Sequence, residues 1–176
     1  RSAGRDPDVV VGDLDSISSG SRLCAADLRH RPDQDWTDAD KVLAEIIADG
    51  WNEASICGLE GDLPDHELAA LGSCVRALDR GLRLSLLYRR GKAWIVSPPH
   101  PFAMPVEAGR RISVMPLMPG TDLEVEGVVW PLKAPHYGLL GVGSVSNRSR
   151  GGEVQVRVKT GAVWVFVGDS QPVRPD

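Results

Sequence analysis

The sequence predicts an α/β domain over residues 1–98, Rossmann-like with a mostly parallel sheet, followed by a small all-β sandwich over residues 99–176. Three observations predict it. Ahead of Pro98-Pro99-His100-Pro101, short apolar runs alternate with stretches of helical period, the order that β-α units require. Behind that proline cluster no stretch keeps the helical period. The rear segments alternate with a period of two instead, as Val154, Val156 and Val158 do around Gln155 and Arg157.

The elements follow in chain order. Val9-Val10-Val11 is a buried strand that ends at Gly12. Thr37 to Gly50 is a helix with Val42, Leu43, Ile46 and Ile47 on one stripe, a capping box in Thr37-x-x-Asp40 and a stop at Gly50. Ala54 to Cys57 is a short strand. Pro64 to Arg80 is a second helix, with Leu68, Leu71, Val75 and Leu78 inward and Gly81 as terminator. Leu82 to Tyr88 and Ala93 to Val96 flank Arg89-Arg90-Gly91-Lys92, a hairpin turn. Behind the prolines, Arg111 to Leu117, Leu123 to Trp130, Leu139 to Ser146, Glu153 to Lys159 and Ala162 to Val167 read as strands, and Gln171 to Asp176 as a loose tail.

The 176 residues are 42% apolar and 25% charged, an ordinary globular balance. A net charge of −4 speaks against a broad basic surface for nucleic acid. The longest apolar runs, Leu84 to Tyr88 and Val163 to Val167, are far too short to cross a bilayer. Cys24, Cys57 and Cys74 are odd in number and lack CxxC spacing, so they read as reduced thiols of a cytosolic chain. The chain opens with Arg1 rather than Met, which suggests that a segment precedes it. Charge is uneven: residues 1–66 carry 15 acidic and 6 basic side chains, and 12 of those acids are Asp. Short carboxylates suit turns and caps, and they also suit hard divalent cations.

The sharpest local feature is Gly12-Asp13-Leu14-Asp15-Ser16 at the carboxyl end of the first strand, where open α/β sheets place their ligands. Extended backbone sends Asp13 and Asp15 to one side, a pair that calls for a cation such as Mg²⁺. The plainer alternative is that these aspartates cap a turn. A second cluster, Asp33-Gln34-Asp35-Trp36-Thr37-Asp38-Ala39-Asp40, stands at the start of the first helix. N-capping explains Thr37 and Asp40 but does not require Asp33, Asp35 and Asp38. Two acidic loops at strand and helix ends suggest one Mg-nucleotide site. The third feature is the strand-to-helix loop Gly58-Leu59-Glu60-Gly61-Asp62-Leu63-Pro64-Asp65-His66, a phosphate-approaching loop or ordinary helix punctuation.

In their order and spacing these residues resemble the thiamine pyrophosphokinase family. The resemblance rests on Pro7-Asp8 with Gly12-Asp13-Leu14-Asp15-Ser16-Ile17, on Asp33-Gln34-Asp35-x-Thr37-Asp38 with Lys41, and on Gly58-x-x-Gly61 with Asp65-His66. In the rear half, Ile112 to Leu117, Gly127-Val128-Val129-Trp130-Pro131-Leu132 and Ser144-Val145-Ser146-Asn147 are similar to that family's thiamine-binding domain. The resemblance implies a Mg²⁺-dependent transfer of the pyrophosphoryl group of ATP to the hydroxyethyl oxygen of thiamine, with release of AMP. By it, Asp13, Asp15 and Asp38 hold the metal and approach the attacking hydroxyl. Gln34, Thr37, Gly58, Gly61, Asp65 and His66 line the ATP side, and Ser146 and Asn147 the thiamine side. It further implies a homodimer in which the β domain of one subunit completes the cleft of the other, with no nucleic acid or membrane partner. Trp130 is read as core rather than as a stacking face. The chain departs from the family pattern in two ways: it lacks a first strand with an Asp-Gly-Gly loop, and it has Asp62-Leu63 where a Gly-Gly-Arg loop is usual. A binding relative without turnover and a metal-dependent phosphatase are the alternatives.

Overall fold

The structure, a computed structural model, describes residues 7–14, 27–60, 63–138 and 143–169. Among these described residues, twelve strands and two helices follow in chain order: β1 (Val9–Gly12), β2 (Asp27–His30), α1 (Asp38–Ala48), β3 (Glu53–Cys57), α2 (Pro64–Leu78), β4 (Arg83–Tyr88), β5 (Gly91–Val96), β6 (Phe102–Pro105), β7 (Arg111–Pro116), β8 (Thr121–Glu126), β9 (Leu132–Tyr137), β10 (Ser144–Arg148), β11 (Glu153–Thr160) and β12 (Val163–Gly168). They form three sheets, β1-β2, β10-β7-β12-β5-β4-β3 and β6-β11-β8-β9.

Pairing among these strands is mixed, which corrects the expectation of a mostly parallel sheet. Only β1–β2 and β3–β4 are parallel. The turn at Arg89-Arg90 folds β5 back against β4, and β12 then continues the sheet antiparallel to β5. The six-stranded sheet therefore takes β3, β4 and β5 from ahead of residue 98, and β7, β10 and β12 from behind it.

Side-chain alternation lets this one sheet serve two cores. Ala93 and Ile95 of β5 face a core built with Leu43 of α1, Cys74 and Ala77 of α2, and Leu84 and Leu86 of β4. Val96 of β5 and Val163, Val165 and Val167 of β12 face a second core with Ile112, Val114, Leu123, Val125, Val154 and Val156. The second core is the interior of a sandwich between the six-stranded and four-stranded sheets, as the rear-half alternation predicts. On the helix side, Trp164 and Phe166 of β12 stack with ring centroids 5.3 Å apart, and Tyr88 meets both edge-on.

Both helices form where their period places them, and Leu43, Ile46, Ile47, Leu71 and Leu78 pack on the helix-side core as their stripes predict, but two stripe residues do not. Leu68 is 70% exposed and Val42 is also exposed. The inward face of α2 is Ser73, Cys74 and Ala77, small residues that let it approach α1 closely. Three strands escape the sequence reading. β2 carries three charged or titratable residues out of four, while β6 and β9 contain Pro105 and Pro135. Both of these are edge strands, where a missing N–H is tolerated.

Gly127 ends β8 at φ 77°, and a Cβ there would lie 2.1 Å from the carbonyl oxygen of Glu153 in β11. Backbone cannot yield as a flexible side chain does, so Gly127→Ala should destabilise the chain by at least about 2 kcal/mol. Gly120, at φ 73° but in open space, should cost only about 1 kcal/mol when replaced by Ala. Urea midpoints of the two variants measure the difference, and equal midpoints would contradict this account of Gly127.

Candidate active site

β1 delivers its end to the N-terminus of α1. The Gly12 carbonyl accepts the Arg31 amide at 2.7 Å, which fixes the exit of β2 beside the exit of β1. A Cβ at Gly12 would stand 3.5 Å from Asp38 Oδ1, so the Asp38 carboxylate lies beside the end of β1. Asp13 follows, half-buried, and Leu14 turns the chain at φ 63°, a conformation that costs a branched residue energy and is held by its surroundings. Asp15 lies outside the described residues.

Thr37 is the N-cap of α1. Its hydroxyl accepts the Asp40 amide at 3.2 Å and its own amide donates to Asp40 Oδ2 at 3.3 Å, closing the capping box, while the hydroxyl also donates to Asp40 Oδ2 at 2.8 Å. Ser73 Oγ of α2 meets the same hydroxyl at 3.1 Å. Asp40, 7% exposed, receives Arg76 through Nε at 3.1 Å and Nη2 at 2.7 Å. Burial raises the pKa of Asp40, yet the hydrogen bonds from Arg76, Thr37 and Ser73 outweigh it and hold the carboxylate below its ordinary value. Thr37 and Asp40 thus pin the helix start to α2. Asp38, next to them, keeps a carboxylate that is 71% exposed.

The remaining acids of this loop divide by role. Asp33 Oδ1 accepts the Asp35 amide at 2.8 Å, an Asx turn that shapes the loop. Gln34 is exposed and donates to the Pro32 carbonyl at 3.4 Å. Lys41, one turn into α1, is 8% exposed and reaches Asp38 Oδ1 at 3.4 Å. On the flank of α1, Glu45 takes Arg31 and Arg29, and Asp49 takes Arg29, fastening β2 to the helix.

The third loop begins at Gly58, whose φ of 85° ends β3 in open space. Gly61 and Asp62 lie outside the described residues. Asp65 and His66 are exposed in the first turn of α2, where Leu63 occupies the N-cap without a side-chain bond. α2 meets the start of α1 through Ser73, roughly 12 Å of helical rise beyond Asp65. The described geometry therefore brings together Gly12, Asp13, Thr37 and Asp38, with Asp65 and His66 at a distance along α2.

In the rear half Asn147 is 3% exposed, and its amide is fully occupied. Oδ1 accepts from the amides of Trp130 and Arg148, while Nδ2 donates to the Trp130 carbonyl and Ser144 Oγ. Ser146 is exposed at φ 60°, and its amide donates to Ser113 Oγ. Trp130 is 62% exposed, which corrects the reading of it as core: Asn147 grips its backbone and leaves the ring outside.

Among the described residues no three His, Cys, Asp or Glu side chains converge as a metal cage. The donor chemistry still fits Mg²⁺, which keeps several waters and needs only one or two carboxylates beside substrate phosphates. The described end of β1 and start of α1 offer two carboxylates, Asp13 and Asp38. A cavity of about 460 Å³ lies elsewhere, at the opposite ends of β3 and β4, against Ser55, Ser85, Trp94 and Phe102. Arg76 and Ser73 carry no sequence signal, because their partners are 36 residues away.

Residues 1–86 match the family model described as thiamin pyrophosphokinase, catalytic domain, and residues 100–163 match that of its vitamin B1 binding domain. A search of curated proteins found no match. Among solved structures, the chain is similar to thiamine pyrophosphokinase from Bacillus subtilis at 21% identity and TM-score 0.78, covering 97% of this chain and 82% of that one. A thiamin pyrophosphokinase family protein from Enterococcus faecalis gives 20% identity and TM-score 0.78, with 97% and 83% covered. The enzyme from Candida albicans gives 13% identity and TM-score 0.76, with 96% and 75% covered. At these identities the likeness shows the fold.

Arg76→Ala should lower stability at pH 7 by about 2–3 kcal/mol, since it strands the enclosed Asp40 carboxylate. The sign with pH follows from the depressed pKa of Asp40. Its contribution is complete above the unfolded value of 3.8 and is lost as pH falls through the lower folded value. The gap between wild type and Arg76→Ala should therefore narrow at pH 3, and urea unfolding at both pH values measures it.

Proposed function

The chain belongs to the thiamin pyrophosphokinase family, and from that premise we propose how its geometry serves thiamine pyrophosphokinase function. The substrates are ATP and thiamine. The hydroxyethyl oxygen of thiamine attacks the β-phosphorus of ATP, the bond from that phosphorus to the α,β-bridging oxygen breaks, and AMP leaves. The hydroxyl proton passes to a carboxylate of the acidic cluster.

One observation carries this reading: Asp38 Oδ1 stands 3.5 Å from the Cβ position of Gly12, which brings the start of α1 to the end of β1, 26 residues earlier in the chain. In the proposal Asp13 and Asp38, with Asp15, hold Mg²⁺, which when bound offsets the phosphate charge. The exposed end of α1 adds free amides and a positive dipole for the phosphates. Gln34 and Gly58 border the nucleotide, as do Gly61, Asp65 and His66. Thr37 acts through the cap that holds Asp38 in place.

The thiamine side is proposed at Ser146 and the exposed ring of Trp130, a face suited to a cationic thiazolium. Asn147 shapes that face by gripping the Trp130 backbone. Val129 and Val145 are also exposed beside it, an apolar patch that a second copy would cover in the proposed homodimer with a shared cleft. Among the described residues no helix is long and apolar enough to cross a membrane.

AMP formation from ATP and thiamine with Mg²⁺ tests the reading directly. Asp38→Asn should lower turnover at least ~100-fold if charge at the transferring phosphoryl group is the main effect. A variant that keeps the wild-type rate would remove Asp38 from the site. Leu63, which offers no charge at the start of α2, favours a second reading as a binding relative without turnover. Calorimetric thiamine binding with no AMP released would establish that one.

A further inference from the structure

We propose that Lys41 is a phosphate-binding residue of the nucleotide site, an assignment that rests on the ATP reading above. Lys41 is the single lysine of residues 1–66. Its side chain is 6% exposed, and the one hydrogen bond its ammonium makes among the described residues is the 3.4 Å contact to Asp38 Oδ1. An ammonium has three donors, so a long bond to one acceptor leaves most of its capacity unused. Asp38 is 71% exposed and solvated, and a pair with such a carboxylate gives back little of the hydration that a buried ammonium loses. A phosphate oxygen supplies what is missing.

Position points the same way. The Asp38 oxygen that faces Lys41 is the one that faces Gly12, so the ammonium stands one carboxylate away from the end of β1. The other cations described in this half are committed elsewhere: Arg29 to Asp27, Glu45 and Asp49, and Arg31 to Glu45, along the flank of α1. The loop before α2 ends in Leu63, which brings no charge. An acidic site that takes a triphosphate needs a cation of its own, and a lysine serves as a compact point charge for phosphate. Its low hydration strengthens that attraction.

Titration calorimetry of the 176-residue chain with ATP in excess EDTA tests the assignment without a metal. Lys41→Met should weaken ATP binding at least tenfold, whereas Lys41→Arg should stay within threefold of wild type. Asp38→Asn should bind ATP as tightly as wild type or more so, because it removes a repelling charge. The thermal midpoint of Lys41→Met should match or exceed the wild-type value, since an apolar chain of similar length replaces a buried charge. If Lys41→Met loses its cooperative transition, Lys41→Gln is held to the same tenfold criterion. ATP affinity within twofold of wild type overturns the assignment and leaves the proposed reaction standing. Wild-type chain that binds no ATP in EDTA also overturns the assignment, while the reaction is judged separately by AMP formation with Mg²⁺.

Discussion

The pairing of β5 with β12 is the contact on which the other parts depend. Six consecutive residue pairs, from Gly91 with Gly168 to Val96 with Val163, join strands more than 60 residues apart in the chain. At each step one side chain points to the helices and the next to the sandwich. Val165 and Val167 fill the sandwich interior while Trp164 and Phe166, on the same strand, roof the helix-side core. Two cores share one layer of backbone, so neither forms its native boundary alone. At the end of this ladder a Cβ on Gly91 would stand 2.3 Å from the Val167 carbonyl, and only glycine lets the strands close there.

The chemistry occupies a small space set by a second constraint, the enclosed carboxylate of Asp40. Arg76, Thr37 and Ser73 converge on it, which locks the first turn of α1 to the middle of α2. Asp38 projects from that locked turn toward the end of β1. The same few residues thus divide their labour. Thr37 and Asp40 spend their polar atoms on the fold, and Asp38 keeps its oxygens exposed. A cap that is fully used by the protein is what leaves its neighbour free for a ligand.

Much of this was legible in advance, for reasons that can be named. Thr37-x-x-Asp40 announced a helix start because a capping box is local, and the structure closes both of its bonds. Val154, Val156 and Val158 announced a half-buried strand because pleat alternation is local too. That the end of β1 meets the start of α1 could be inferred only from their places at strand and helix ends. Less visible was which residues of α2 sit deepest. Leu68 fits the apolar stripe of α2 yet lies 70% exposed, because α1 selects the small face of Ser73, Cys74 and Ala77. Trp130 reads as core by composition and stands outside because a buried Asn147 consumes its amide and carbonyl.

By itself the sequence determined the local units: two helices, the first with its capping box, the hairpin at Arg89-Arg90, the alternating rear strands, and the aspartates at the end of β1 and the start of α1. These depend on neighbours one to four residues away, where propensity and periodicity act. The tertiary structure alone decided that a single mixed sheet would run through both halves, that Arg76 would neutralise Asp40, and that Lys41 would be enclosed against Asp38. Those outcomes rest on partners tens of residues apart or on burial. Both are settled when the chain packs, by which side chains can share a layer and which charges can find each other there.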